Sequence, residues 1–280
     1  MAVAGAAAAD SGNAVGQKMY NAAATYLGKN PVVWGRYFYT YAQNGTGFPY
    51  YDPSTETAFF SDNSLRLLPI TGVSAQGPHL SGGSYTTGYN DAQNNLFAVL
   101  EALGDDAEFF PCVIPPGGTG CTHWTAFALD CEDSSGPVTV SVEYLHGWLV
   151  GMADGVQDRN GVTLYGWSGV YNSAYNCGTW DSVVSCSQEF GIAPKFIWTA
   201  GYPGSPYAGN PSDTPPWNTD NDCNTENSCG IALGQSTVLW QYYGDATVSG
   251  SSSLIDLDQG NPNVDFATAL SNYCPVPVVS

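Results

Sequence analysis

The 280-residue chain reads as an α/β protein, an irregular (β/α) barrel of the TIM type with helices after its first five strands and few after its last three. Three observations predict this. Strand-like runs alternate with helix-like ones through the first two-thirds of the sequence, the grammar of parallel strands joined by helical crossovers. Past residue 195 the helices drop out while strand-like runs continue. The length suits one barrel domain, which commonly takes about 250 residues.

Residues 3–9 are small and apolar and read as the first strand; they lack the basic start of a signal peptide. Met19, Ala22, Ala23, Tyr26 and Leu27 then recur at helical spacing. Residues 32–39, rich in β-branched and aromatic side chains, form strand two, followed by a short helix over 54–60 and strand three over 65–72. Leu96, Val99, Leu100 and Leu103 share one face of a helix over 87–103. Strand four, 124–130, precedes a helix over 139–155, and strand five, 162–165, a weaker one over 182–190. Strands over 195–200 and 237–243 flank a Pro/Asn/Asp/Ser-rich insertion at 202–230 with no helical period. A last strand, 254–257, leads into a helix at 264–273. With no internal repeat, residues 1–280 read as one domain.

Composition narrows the function. Hydrophobic residues make up 43% of the chain, enough for a sizeable core. Six Lys plus Arg against 25 Asp plus Glu give a formal charge of -19, which repels phosphate backbones and anionic membranes, so nucleic acid is a poor partner. Only 11% of residues are charged, so the surface is built largely of Ser, Thr, Asn, Gly and Tyr, as in a secreted protein working in acid. No run approaches the roughly 18 apolar residues that span a membrane. Of the eight cysteines, Cys112 with Cys121, Cys177 with Cys186, and Cys223 with Cys229 are spaced to staple loops, leaving Cys131 and Cys274. There is no CxxC and no His/Cys ligand spacing, so disulfides are expected rather than a metal.

The chemistry concentrates where strand four ends, at Ala126-Phe127-Ala128-Leu129-Asp130-Cys131-Glu132-Asp133. Residues two apart on a strand share a face, so Asp130 and Glu132 project together and Cys131 faces away. Two carboxyls at the C-terminal rim of a barrel suit glycosidic cleavage, one holding a proton for the leaving oxygen and the other ionised against the developing cation. Their mutual repulsion raises one pKa. The competing account is an acidic turn that is merely solvated or caps the next helix.

Other chemistries fit less well. Gly166-Trp167-Ser168-Gly169-Val170 breaks the G-x-S-x-G spacing of a nucleophile elbow. His79, His123 and His146 are scattered, and no G-x-G-x-x-G or P-loop follows a strand, so no nucleotide cofactor is expected. Strand four carries no acids over 127–129, unlike chitinase-type barrels.

The order of segments resembles glycoside hydrolase family 25, the lysozyme family, and the related glycoside-hydrolase-like domains. The matching pieces are Phe127-Ala128-Leu129-Asp130-Cys131-Glu132, Leu164-Tyr165-Gly166, Phe196-Ile197-Trp198-Thr199-Ala200-Gly201-Tyr202, Leu239-Trp240-Gln241-Tyr242 and Leu254-Ile255-Asp256-Leu257-Asp258, spread over most of residues 30–260. The resemblance implies an irregular barrel with Glu132 as general acid and Asp130 supporting positive charge or positioning an acetamido group. It also implies Asp256 as a third acid in the cleft and Asp10 as the acid ending strand one, although Ala6-Ala7-Ala8-Ala9-Asp10-Ser11-Gly12 lacks the family's usual flanking residues. Asp133 and Asp258 are expected to point away from the interior. Tyr165, Trp198, Tyr202, Trp240 and Tyr242, near strand ends, are the aromatic walls a sugar would need. The expected function is a secreted glycosidase, without a cofactor, cleaving β-1,4 bonds in peptidoglycan or a related amino-sugar polymer. Its rival is a non-catalytic saccharide-binding or cell-surface protein on the same barrel.

Overall fold

A computed structural model describes residues 5–38, 50–71, 79–114, 119–133, 136–202, 210–217, 229, 237–264, 269 and 272–278. Its main elements alternate: β1 (Ala7–Ser11), α1 (Gln17–Leu27), β2 (Val33–Phe38), α2 (Pro53–Asp62), β3 (Arg66–Thr71), α3 (Tyr85–Ala102), β4 (Thr122–Asp130), α4 (Val142–Asp154), β5 (Thr163–Ser173), α5 (Cys177–Phe190), β6 (Phe196–Ala200), β7 (Thr237–Thr247) and β8 (Leu254–Gly260). Each strand pairs with the next and β8 pairs back onto β1, so the sheet is a closed eight-stranded barrel with helices after its first five strands.

Local chemistry starts and stops these helices. The side chains of Asp52, Ser84 and Ser141 cap α2, α3 and α4 by accepting from backbone N–H groups of their first turns. Gly28 and Gly191 end α1 and α5 in the left-handed conformation.

Strand alternation sorts the side chains into two layers. Ala8, Val33, Leu68, Ala126, Ala128 and Leu239 point into the barrel. Ala9, Trp34, Phe127, Leu129, Ile255 and Leu257 point out, into the layer under the helices. Small residues at 126 and 128 keep the interior narrow, and bulky ones at 127 and 129 fill the outer layer.

The structure corrects several sequence expectations. Strand β5 runs on to Ser173 instead of stopping at 165. Its internal Ser and Gly residues imitate a turn, but Gly169 leaves room for the Phe196 ring, which a Cβ would strike. Strand β8 runs antiparallel to both neighbours, because β7 reaches it through a hairpin rather than a crossover. Cys177 is bridged to Cys229, 52 residues on, while Cys186 is free and buried. Sequence proximity favoured Cys186, but α5 carries that residue inward on its buried face. The Cys112–Cys121 bridge is as expected. Cys223, most of the 202–230 insertion and most of the 264–273 helix lie outside the described residues. Among the described residues no helix is long and apolar enough to cross a membrane. That observation and the two disulfides are compatible with an extracellular protein.

Candidate functional site

The reversal of β8 gathers the acids. In a parallel strand the rim residue comes last; in β8 it comes early, so Asp256 stands opposite Asp10 near the end of β1. Asp130 closes β4 on the same rim, where its N–H donates to Thr71 Oγ1 at 2.8 Å. Glu132 follows in a short ribbon with 136–137, close enough to Asp256 and Asp130 for their charges to couple. The four acids named from the sequence therefore converge.

A fifth acid joins them. Asp258 is 1% exposed and accepts from Trp198 Nε1 at 2.9 Å, so it points inward, not outward as expected. The signal was in the sequence: Asp256 and Asp258 are two apart and must share a strand face. The side chain of Asp133 lies outside the described residues.

Burial raises every pKa in the cluster. Asp10 is pushed well above the usual carboxylate range by burial and by the charges of Asp256 and Asp258. Asp130 is raised by burial and by Glu132. Glu132 reaches about 6 through burial and the neighbouring Asp256. Burial takes Asp256 to about 6, opposed by the Asp245 N–H, and takes Asp258 to about 7 with the help of Asp256. No cation relieves them: among the described residues Arg36 lies in the outer layer, paired with Glu56 at 2.7 Å.

Other groups hold the acids in place. Asp245 adopts a left-handed φ of 59° at a bulge in β7, which aims its N–H at Asp256 Oδ1, 2.6 Å away. Tyr171 and Tyr202 both donate to Gln241 Oε1, at 2.8 and 3.1 Å, which turns Gln241 Nε2 toward Asp10 Oδ2 at 3.4 Å. Asn172 Nδ2 donates to the carbonyl of Cys131 at 3.0 Å and so anchors the residue before Glu132. Gly35 faces Asp10, where a Cβ would come within 2.7 Å of Asp10 Cβ. Both carboxyl oxygens of Asp130 lack a partner in strict hydrogen-bond geometry, although the Tyr37 hydroxyl and the Glu132 N–H lie close enough to favour its ionised form. The sequence pattern does not mark Tyr37, Tyr171 and Gln241 as site residues. Tyr171 sits beyond the point where strand five was expected to end.

The five aromatic residues named from the sequence divide. Trp198 packs its ring 4.7 Å from Tyr171 inside the barrel, and Tyr202 reaches in with its hydroxyl while 59% exposed. Trp240 and Tyr242 have the opposite parity to Gln241 on β7 and are buried in the outer layer. Tyr165 lies opposite Trp124, six residues before the Asp130–Tyr171 pair, at the other end of the barrel. A cavity of about 400 Å³ between α2 and the end of α3, lined by Ser54, Thr57, Glu101 and Val278, contains none of the rim acids.

No family model matches the chain, and no curated protein matches it. Solved structures do. An uncharacterized B. stearothermophilus protein superimposes with a TM-score of 0.61 at 17% identity, over 94% of this chain and 99% of that one. A glycosyl hydrolase 25 of Streptococcus pneumoniae, described as a virulence factor, superimposes at 0.50 and 12% identity, over 96% and 92%. The CTP1L endolysin gives 0.46 at 12%, over 95% and 69%. The chain thus shares its barrel fold with the B. stearothermophilus protein and with the glycosyl hydrolase 25.

Proposed function

We propose that the chain is a secreted glycosidase cleaving β-1,4 bonds of peptidoglycan or a related amino-sugar polymer. The observation that carries this reading is the meeting of Glu132 and Asp256, from unconnected strands, on one rim with pKa values raised to about 6. Near that pH the coupled acids are partly titrated, and the reactive form has Glu132 protonated and Asp256 ionised. Glu132 passes its proton to the glycosidic oxygen as the C–O bond breaks, while the Asp256 carboxylate faces the positive charge growing on the sugar and Asp130 lies beside Glu132. Water then adds to the anomeric carbon and its proton returns to Glu132. Asp10 supports this group from β1, and Trp198 and Tyr202 supply ring surface beside it. Tyr165, Trp240 and Tyr242 are not assigned to the cleft.

Acidic surroundings suit this arrangement, since they keep Glu132 protonated and lower the repulsion between an acidic protein and an anionic wall. The test is the release of new reducing ends from purified peptidoglycan between pH 3 and 7, with mass analysis of the fragments. Fragments ending in reducing N-acetylmuramic acid are expected. Binding to the wall with no new ends assigns the protein to the non-catalytic rival.

A further inference from the structure

The hydrolase reading uses four acids and leaves Asp258 without a role. Packing alone does not call for an acid at Asp258, which is 1% exposed and shares the barrel interior with apolar side chains such as Ala8, Val33, Leu239 and Trp198. Burying an ionised carboxylate without a cation is costly, and among the described residues neither Asp258 nor Asp10 forms an ion pair with Lys or Arg. What surrounds Asp258 is a pair of dedicated contacts. Trp198 Nε1 donates to its Oδ1 at 2.9 Å. Its carboxyl also lies close enough to that of Asp10 on β1 for each to shift the other's ionisation by hydrogen bonding, as does that of Asp256, which is in register with Asp10.

A hydrogen bond between two carboxyl groups requires a proton, because ionised carboxylates only accept. The contacts around the pair act on the two groups separately. The indole N–H favours charge on Asp258, and the Gln241 amide, turned by Tyr171 and Tyr202, favours it on Asp10. The other ionisable groups on the pair's side of the sheet are Asp256 on β8, beside both, and the hydroxyls of Tyr37 on β2, Tyr171 on β5 and Tyr202 after β6, which feel the Asp10 charge; Tyr242, in the outer layer of β7, feels that of Asp258.

We propose that Asp258 is a positioning residue that shares one proton with Asp10 beneath the cleft, so that the two acids bring one negative charge, not two, to the floor of the site. Resting on the hydrolase reading, this gives Asp258 a role in turnover through Asp10 and Asp256, without contact with the sugar.

The direct test needs no activity: a ¹³C NMR titration of the aspartate carboxyls in the wild-type protein. Asp10 and Asp258 should titrate together in two steps, the second at or above about pH 7. In D258N the upper step disappears and Asp10 titrates in one step, lower by about one unit or more. In W198F, which removes only the indole donor, the upper step moves to higher pH. Independent ionisation of both acids by pH 5 in the wild type overturns the proposal, whether or not either variant folds. In turnover, D258N should leave the alkaline limb in place, because the asparagine beside an ionised Asp10 carries the same single charge as the wild-type pair; a limb moved to lower pH by about half a unit or more would mean that the wild-type pair carries two charges, and would overturn the proposal. A wild type that shows the shared proton but cleaves no wall refutes the hydrolase reading alone.

Discussion

Asp10 on β1 stands directly across the barrel seam from Asp256 on β8. Two carboxyls in register on the same inward face cannot both ionise cheaply, and the fold adds Asp258, Asp130 and Glu132 around them. In all five the folded pKa lies above the ordinary value. Between those two values the native chain keeps protons that the unfolded chain has lost. Stability is therefore fully present below about pH 4 and falls as pH rises through 6 to 7. Thermal unfolding should show Tm highest near pH 4 to 5 and lower at pH 7 to 8. Asp52, lowered by its hydrogen bonds from Ser54, acts the other way only below about pH 4. A Tm that climbs from pH 4 to 7 would contradict the burial of the cluster.

The Arg36–Glu56 pair clamps the end of β1. Arg36 also donates to the Ser11 carbonyl, and Glu56 accepts from the N–H groups of Val15 and Asp52. Removing one member leaves the other charged and buried, at a cost of about 3–5 kcal/mol. Glu56→Ala should lower the denaturant midpoint accordingly. An effect below about 1 kcal/mol would mean the pair is hydrated.

Asn172 holds Cys131 and Val138 by their carbonyls, on either side of the Glu132 ribbon. Asn172→Ala leaves buried acceptors unpartnered, costing about 1–3 kcal/mol. It should also lower kcat by roughly tenfold through displacement of Glu132. Unchanged kcat in the folded variant would separate Asn172 from the site.

Two tyrosines distinguish the ends of the barrel. Tyr202→Ala removes the exposed ring beside the acids and should raise KM about fivefold. Tyr165→Ala, at the opposite end against Trp124, should leave KM within about twofold in the same wall assay. Equal effects would place the sugar elsewhere.

Periodicity carried the barrel and its break after β6, because a helix with one leucine-lined face, such as α3, and strands buried on both faces, which read as short apolar runs, leave plain patterns. Parity carried Asp130 and Glu132, and it also put Asp258 within reach of Asp256, where it was misassigned. The direction of β8 was legible from its connection, not from the strand itself: the ten residues between 243 and 254 are fewer than a helical crossover takes, so a hairpin is left. The Cys177–Cys229 bridge was hidden because sequence proximity favoured Cys186. Tyr171 was lost because the glycines and serine of β5 look like turn residues until the Phe196 ring is known to lie against them. Trp240 and Tyr242 were read from their place near a strand end, whereas the Gln241 between them takes the inward position.

The central claim is that a protonated Glu132 does the chemistry. Glu132→Gln keeps the shape of the side chain and removes the transferable proton. Turnover of purified cell walls by the folded variant, followed from pH 3 to 7 beside the wild type, should fall about 100-fold or more at every pH, while wild-type turnover declines above about pH 6. Turnover within threefold of wild type would contradict the account.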